Sequence, residues 1–142
     1  MIEVVIGVDV GTQGARALAV TPAGEVAASA EQKFAPDTRS LPAGWFEQDA
    51  LDWWRAASAC LRQVIGALPA GARVAGLAVD STSGTVLPVD ASGNPLHPAL
   101  MYNDARSQPW VAAVRQAGQA LEAKLGYAFS ASFGLPKMVW LW

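Results

Sequence analysis

Ile6-Gly7-Val8-Asp9-Val10-Gly11-Thr12-Gln13-Gly14-Ala15-Arg16 is an apolar strand that runs into an acid and a tight polar turn. Val4 to Val8 has the unbroken apolar character of a central strand, and Asp9 interrupts it. Gly11 and Gly14 permit a positive φ or the close approach of a ligand. Arg16 to Thr21 then reads as a returning strand. Pro22-Ala23-Gly24 marks a second turn, and Glu25 to Phe34 a third strand. The opening is therefore expected to be an antiparallel meander with a carboxylate at its first bend.

A carboxylate in that position can hold a hydrated divalent cation, because Mg²⁺ takes a few protein oxygens and keeps waters or phosphates for the rest. Turn N–H groups and the Thr12 hydroxyl can meet phosphate oxygens. The competing reading is an ordinary hairpin with a turn-favouring Asp and Gly. Two other phosphate loops do not fit: there is no Gly-x-x-x-x-Gly-Lys-Ser/Thr run, and no Gly-x-Gly-x-x-Gly ahead of a helix.

Working outward, the 142 residues suffice for one domain with its own core. Hydrophobic residues make up 52% and charged residues 15%, which is the composition of a folded chain. A net charge of −2 without a basic run gives no support to nucleic-acid or membrane-surface binding. The single Cys60 excludes an internal disulfide and a cysteine-based zinc cluster, and reads as a small core residue. Neither a secretion signal nor a bilayer-spanning stretch is visible, so a cytoplasmic protein is expected.

Ala35 to Leu41 reads as a loop, and Asp49 to Leu68 as the clearest helix. Asp49 can cap that helix, and Leu51, Trp54, Ala57, Leu61, Val64, Ile65 and Leu68 recur at helical spacing; Trp53 and Trp54 are read as core. Val74 to Val79 is a strand. Thr85 to Val89 and Pro98 to Tyr102 are expected as strands flanking a turn at Asp90–Asn94. A helix is expected from Ser107, with Pro109 in its first turn, to about Ala117. A short helix at Ala120–Leu125 and a terminal one from Pro136 follow. His97, without a Cys or His partner, reads as a solvated loop residue.

The segment Val8 to Arg16 resembles the first phosphate motif of the FGGY carbohydrate kinases. Gly44-Trp45-Phe46-Glu47-Gln48-Asp49 with Trp53-Trp54 resembles the family's approach to its first helix. Gly76 to Thr85 resembles its sugar-contacting strand and loop, and Pro98 to Arg106 its second sugar-contacting segment. These blocks stand in family order. The resemblance implies an α/β, ribonuclease-H-like domain of the actin, hexokinase and heat-shock chaperone ATPase group, with a mixed sheet flanked by helices. It further implies that residues 1–142 are part of the N-terminal sugar- and phosphate-binding domain, with the C-terminal domain absent. The end of the chain inside an apolar helical stretch agrees with a fragment.

By resemblance, Asp9 organises Mg²⁺ and contributes with Gly11, Thr12, Gln13 and Arg16 to ATP binding. Asp80, Ser81, Thr82, Ser83 and Gly84, with Tyr102, Asn103 and Asp104, would hold the sugar. Short hydroxyls on rigid backbone suit a polyol, and an aromatic face suits sugar C–H bonds. The alternatives are turn-forming roles for the first group, an Arg106-paired acid for Asp104 and a surface strand residue for Arg16. Thr82-Ser83 stands where glycerol kinases carry Arg-Glu and xylulokinases Met-His, a departure that favours ribulose, then xylulose, over glycerol. No catalytic base is assigned here; the resemblance places it beyond Trp142, so this chain alone is expected to be inactive. A sugar kinase, a homodimer in the full-length protein being left open, is the leading reading. The rival is a non-catalytic sugar-binding or regulatory remnant of the same fold.

Overall fold

A computed structural model describes residues 2–36 and 39–142, so residues 37 and 38 of the expected Ala35–Leu41 loop lie outside the described residues. The chain divides into two units, Met1–Pro36 with Leu51–Thr82, and Asp37–Ala50 with Ser83–Trp142.

The first unit contains the meander: β1 (Glu3–Val10), β2 (Gly14–Val20) and β3 (Val26–Lys33). Helix α1 (Ala50–Ala67) leads into β5 (Arg73–Ser81), which follows the short β4 (Glu47–Gln48) in chain order. The sheet order is β3-β2-β1-β5, antiparallel within the meander and parallel between β1 and β5. Side chains alternate along each strand, so Val4, Ile6 and Val8 join Ala15, Ala17, Ala19 and Ala28 on one face. Ala56, Cys60 and Val64 of α1, spaced four apart, complete this core. Burying each of its larger aliphatic side chains contributes about 1.5–3 kcal/mol.

That seam is narrower than the stripe read from the sequence. Ala57, Leu61 and Leu68 pack at its border, but Leu51 and Ile65 are exposed and Trp54 is 73% exposed. Trp54 is therefore not a core residue. Alanines line the meander's inner face, so a small-residue seam of the helix settles on it and the bulkier positions rotate outward. Cys60 is fully buried and its Sγ donates to Ala15 O at 3.3 Å.

Gly14 is needed for the close approach of neighbouring backbone, not for a positive φ. A Cβ there would collide with Gln32 O and come within 3.0 Å of Lys33 Cα, both on β3. Gly14→Ala should thus destabilise the meander by about 1–3 kcal/mol, read as a melting temperature lowered by several degrees. A melt unchanged to within about 1 °C would contradict this packing.

In the second unit, β4 pairs antiparallel with β6 (Ala99–Leu100). The expected Thr85–Val89 strand reduces to isolated bridges, Val86 to Leu100 and Val89 to Pro95. The turn between them forms as anticipated: Asp90 Oδ1 accepts from Ser92 N and Asn94 N, both at 2.8 Å. A single 3-10 turn at Gln108–Trp110, with Pro109 inside it, opens into α2 (Val111–Ala117). Then come α3 (Gln119–Leu125) and α4 (Gly134–Leu141), the last beginning two residues ahead of Pro136. His97 is half-buried, with its ring edge-on to Trp140 at 6.2 Å, and is not a solvated histidine. Among the described residues no helix is long and apolar enough to cross a membrane.

Candidate functional site

Asp9 lies near the C-terminal end of β1, on the sheet face that α1 does not cover. The antiparallel register sets it opposite Arg16, and Arg16 opposite Glu31. Arg16 spans the two acids at 3.8 and 3.7 Å, with all three side chains largely exposed. Such contacts contribute little to stability, about 0–1 kcal/mol each. On its other side, the parallel register pairs Asp9 with Asp80 and Val10 with Ser81. Two carboxylates separated by most of the unit's sequence therefore stand side by side at one end of the sheet.

The turn between β1 and β2 is partly closed on itself. Gly11 N donates to Gly14 O at 3.0 Å, and Gln13 O accepts from Phe34 N at 3.0 Å. The Gly11 N–H, offered to phosphate by the sequence, is thus spent within the hairpin. The Gln13 side chain is on an exposed residue, and Thr12 takes part in interactions of its own. At the neighbouring strand end, Asp80 Oδ1 accepts from Ser81 N at 2.8 Å, which shapes the start of the hydroxyl-rich loop.

Hard oxygen donors suit Mg²⁺. Among the described residues no three or more His, Cys, Asp or Glu side chains gather as a metal cage. A magnesium ion that keeps waters and shares phosphates needs only one or two carboxylates. Asp9 and Asp80 meet that requirement.

The second unit holds a buried charged cluster. Asp104 is 1% exposed and its carboxylate accepts four hydrogen bonds. Oδ1 takes Arg106 N at 3.0 Å and Arg106 Nε at 2.8 Å; Oδ2 takes Arg106 Nη2 at 2.8 Å and Phe46 N at 2.7 Å. Arg106 Nη1 also donates to Glu47 Oε1 at 2.7 Å, and Arg39 reaches Glu47 Oε2 at 3.1 Å. The guanidinium lies over Trp45, 3.8 Å from the ring centroid, and 5.1 Å from that of Trp140. Trp45 is thereby occupied in holding Arg106.

Burial by itself pushes the Asp104 carboxyl up, but Arg106 and the Phe46 N–H outweigh it and hold the group below the usual carboxylate range. Burial likewise works against the Arg106 cation, and the hydrogen bonds it donates to Asp104 and Glu47 reverse it. Nearby, Lys137 of α4 is fully buried, with Nζ donating to Ala131 O at 2.6 Å and Tyr102 O at 3.3 Å. Burial lowers its pKa, against the pull of the Asp104 charge.

Tyr102 and Asn103, unlike Asp104, are exposed. Gly84 adopts a φ of +75°, and a Cβ there would collide with Ser132 O and sit 3.6 Å from the Tyr102 Cβ. Ser83 is exposed beside it, and Thr82 engages in interactions of its own. Lys137 escaped the sequence reading altogether. It stands amid apolar residues of a terminal helix, and no local spacing announces a buried ammonium.

Comparison with known proteins agrees with this architecture. The model of the FGGY family of carbohydrate kinases, N-terminal domain, matches residues 4–142. A xylulose kinase of Streptomyces coelicolor is 36% identical over 141 residues, covering 96% of this chain and 28% of that protein. A glycerol kinase of Paracidovorax citrulli is 30% identical, again over 96% of this chain but 27% of its own length. The crystal structure of a xyloylose kinase from Brucella ovis superposes with a TM-score of 0.82 at 28% identity, over 96% of this chain and 28% of that one. Plasmodium falciparum glycerol kinase with ADP shares the fold, with a TM-score of 0.83 at 18% identity over 99% of this chain and 28% of that chain. The chain thus spans little more than a quarter of the relatives it matches. An opening meander with its acid at the bend, a parallel β5 carrying a second acid, and a family match from Val4 to Trp142 make this chain a member of the FGGY family of carbohydrate kinases.

Proposed function

We propose that the chain is the N-terminal part of an ATP-dependent sugar kinase that transfers the γ-phosphoryl group to a hydroxyl of a ketopentose. The observation that carries this reading is the register pairing of Asp9 with Asp80, which brings the phosphate-turn acid beside the start of the hydroxyl-rich loop. Ligands in open α/β sheets gather beyond the carboxyl ends of parallel strands, and β1 and β5 are the parallel pair.

In this reading Asp9 holds Mg²⁺ through ordered water, and Thr12, Gln13 and Arg16 orient the phosphates. The ion, when bound with the nucleotide, supplies charge neutralisation at the transferring phosphoryl group. Asp80 to Gly84 present short hydroxyl and amide groups to the acceptor, while Tyr102 offers its face and Asn103 its amide. Asp104 acts from behind as the buried anchor of that segment, since its lone pairs are committed to Arg106 and Phe46 N. This revises the direct sugar contact expected of it. The base that takes the acceptor proton is assigned to none of these residues; we place it in the remainder of the kinase.

Relatives are named both xylulose kinase and glycerol kinase. Thr82-Ser83, in the position of the glycerol kinases' Arg-Glu pair, favours a ketopentose, with ribulose ahead of xylulose. The test is coupled ADP release by the complete kinase with Mg²⁺–ATP and ribulose, xylulose, ribitol or glycerol. Turnover with a pentulose and little with glycerol is the expected result. Preferred turnover of glycerol would overturn the acceptor assignment. Sugar binding without any turnover would replace the kinase with a binding remnant.

A further inference from the structure

We infer that Lys137 is a positioning residue for the acceptor: its ammonium clamps the Tyr102 and Ala131 carbonyls and so fixes the Tyr102–Asn103 segment. This inference rests on the sugar-kinase reading given above. An ammonium without exposure is unfavourable unless its donors and its charge are both answered. Two of the three N–H donors are answered here, and so is the charge. Nζ donates to two carbonyls, at 2.6 and 3.3 Å. The charge completes a buried set in which Asp104 and Glu47 face Arg106 and Lys137, two carboxylates against two cations. Arg39 joins Glu47 only from the more exposed rim.

The two carbonyls belong to different loops, one following β6 and one preceding α4. Ala131 O also accepts from the buried Ser107 Oγ at 3.4 Å, so the loop before α4 is tied down twice. Gly84 closes against Ser132 O of that same loop and lies near the Tyr102 Cβ. Segments around residues 84, 102 and 131 thus meet at the head of one lysine. The unit's apolar burial is supplied by other side chains, among them Leu100, Met101, Val114 and Phe129. What Lys137 adds is the place of the Tyr102 backbone, and through it the stance of an exposed ring. Apolar packing cannot give that, because a methylene chain offers no donor to a carbonyl.

The test compares Lys137→Met and Lys137→Arg with the parent in the complete kinase, measuring KM for the pentulose and for Mg²⁺–ATP separately. The Met variant should raise the pentulose KM about tenfold and leave the ATP KM within about twofold. The Arg variant keeps the cation but not the compact donor geometry, and should raise the pentulose KM by about threefold. If the Met variant does not fold, the Arg variant decides: a selective rise in the pentulose KM supports the clamp. Pentulose and ATP KM values that rise together, or a pentulose KM that does not move in the variants that fold, would overturn it as a merely structural lysine. A parent enzyme without sugar-dependent ADP release would instead remove the kinase reading, and the clamp with it.

Discussion

Asp9→Ala is expected to lower sugar-dependent ADP release by the complete kinase about a thousandfold, with at most a small fall in melting temperature. The size follows from the proposed role: losing an oxygen that would seat a phosphate-bound cation would remove several kcal/mol of charge stabilisation, and about 4 kcal/mol is a thousandfold in rate. The nearly unchanged stability follows from position. Asp9 is on the uncovered face of β1, and its contact with Arg16 is exposed and 3.8 Å long. Removing it takes away about 0–1 kcal/mol at most. Asp9→Asn should behave like the alanine variant, because an amide keeps the shape but not the charge. Activity within about tenfold of the parent would take Asp9 out of the metal-organising role.

Asp104→Ala makes the opposite prediction, a folding defect. Truncation leaves the buried Arg106 guanidinium with only Glu47 as a close acid partner and leaves Phe46 N–H without its acceptor. Breaking a buried pair in this way costs about 3–5 kcal/mol, a large share of a domain's stability. Urea unfolding of the parent and the variant measures it; a loss below about 1 kcal/mol would show the cluster to be dispensable. The same residue gives the parent an acid limb. Its folded pKa lies below the ordinary carboxylate value, so its stabilisation is fully present above that value and is lost as pH falls through the depressed one. Asp104→Asn should flatten that limb, since an amide has no such proton to take up.

How much of this was legible in the sequence depends on the distance over which each interaction acts. The meander was legible because the apolar run Val4–Val8 and the turn chemistry of Gly11–Gly14 and Pro22–Gly24 are local. The α1 boundaries followed from helical spacing, but the face it buries did not: Leu51, Trp54 and Ile65 share that periodicity and are exposed. The opposing sheet face, with Val4, Ile6 and Val8 on β1 and alanines on β2 and β3, takes Ala56, Cys60 and Val64 instead. Thr85–Val89 carries strand-like residues, yet its pairing depends on remote partners and amounts to single bridges. The register that sets Asp9 beside Asp80 is likewise non-local. For Asp104 the sequence offered both a sugar contact and an Arg106 pair, and burial supports the second. Lys137 had no signal, because the Asp104 charge and the Tyr102 carbonyl that help make its burial tolerable lie more than thirty residues away, and the nearer Ala131 carbonyl belongs to a loop with no local mark of that role.

Cys60 turns the first unit into its own stopwatch. It is the chain's sole thiol, fully buried beneath the meander, and burial raises its pKa and so suppresses the reactive thiolate. A soluble thiol reagent can reach it only when α1 lifts from β2. The rate of labelling therefore counts openings of that helix–sheet contact directly, without an engineered probe or a fluorescence change.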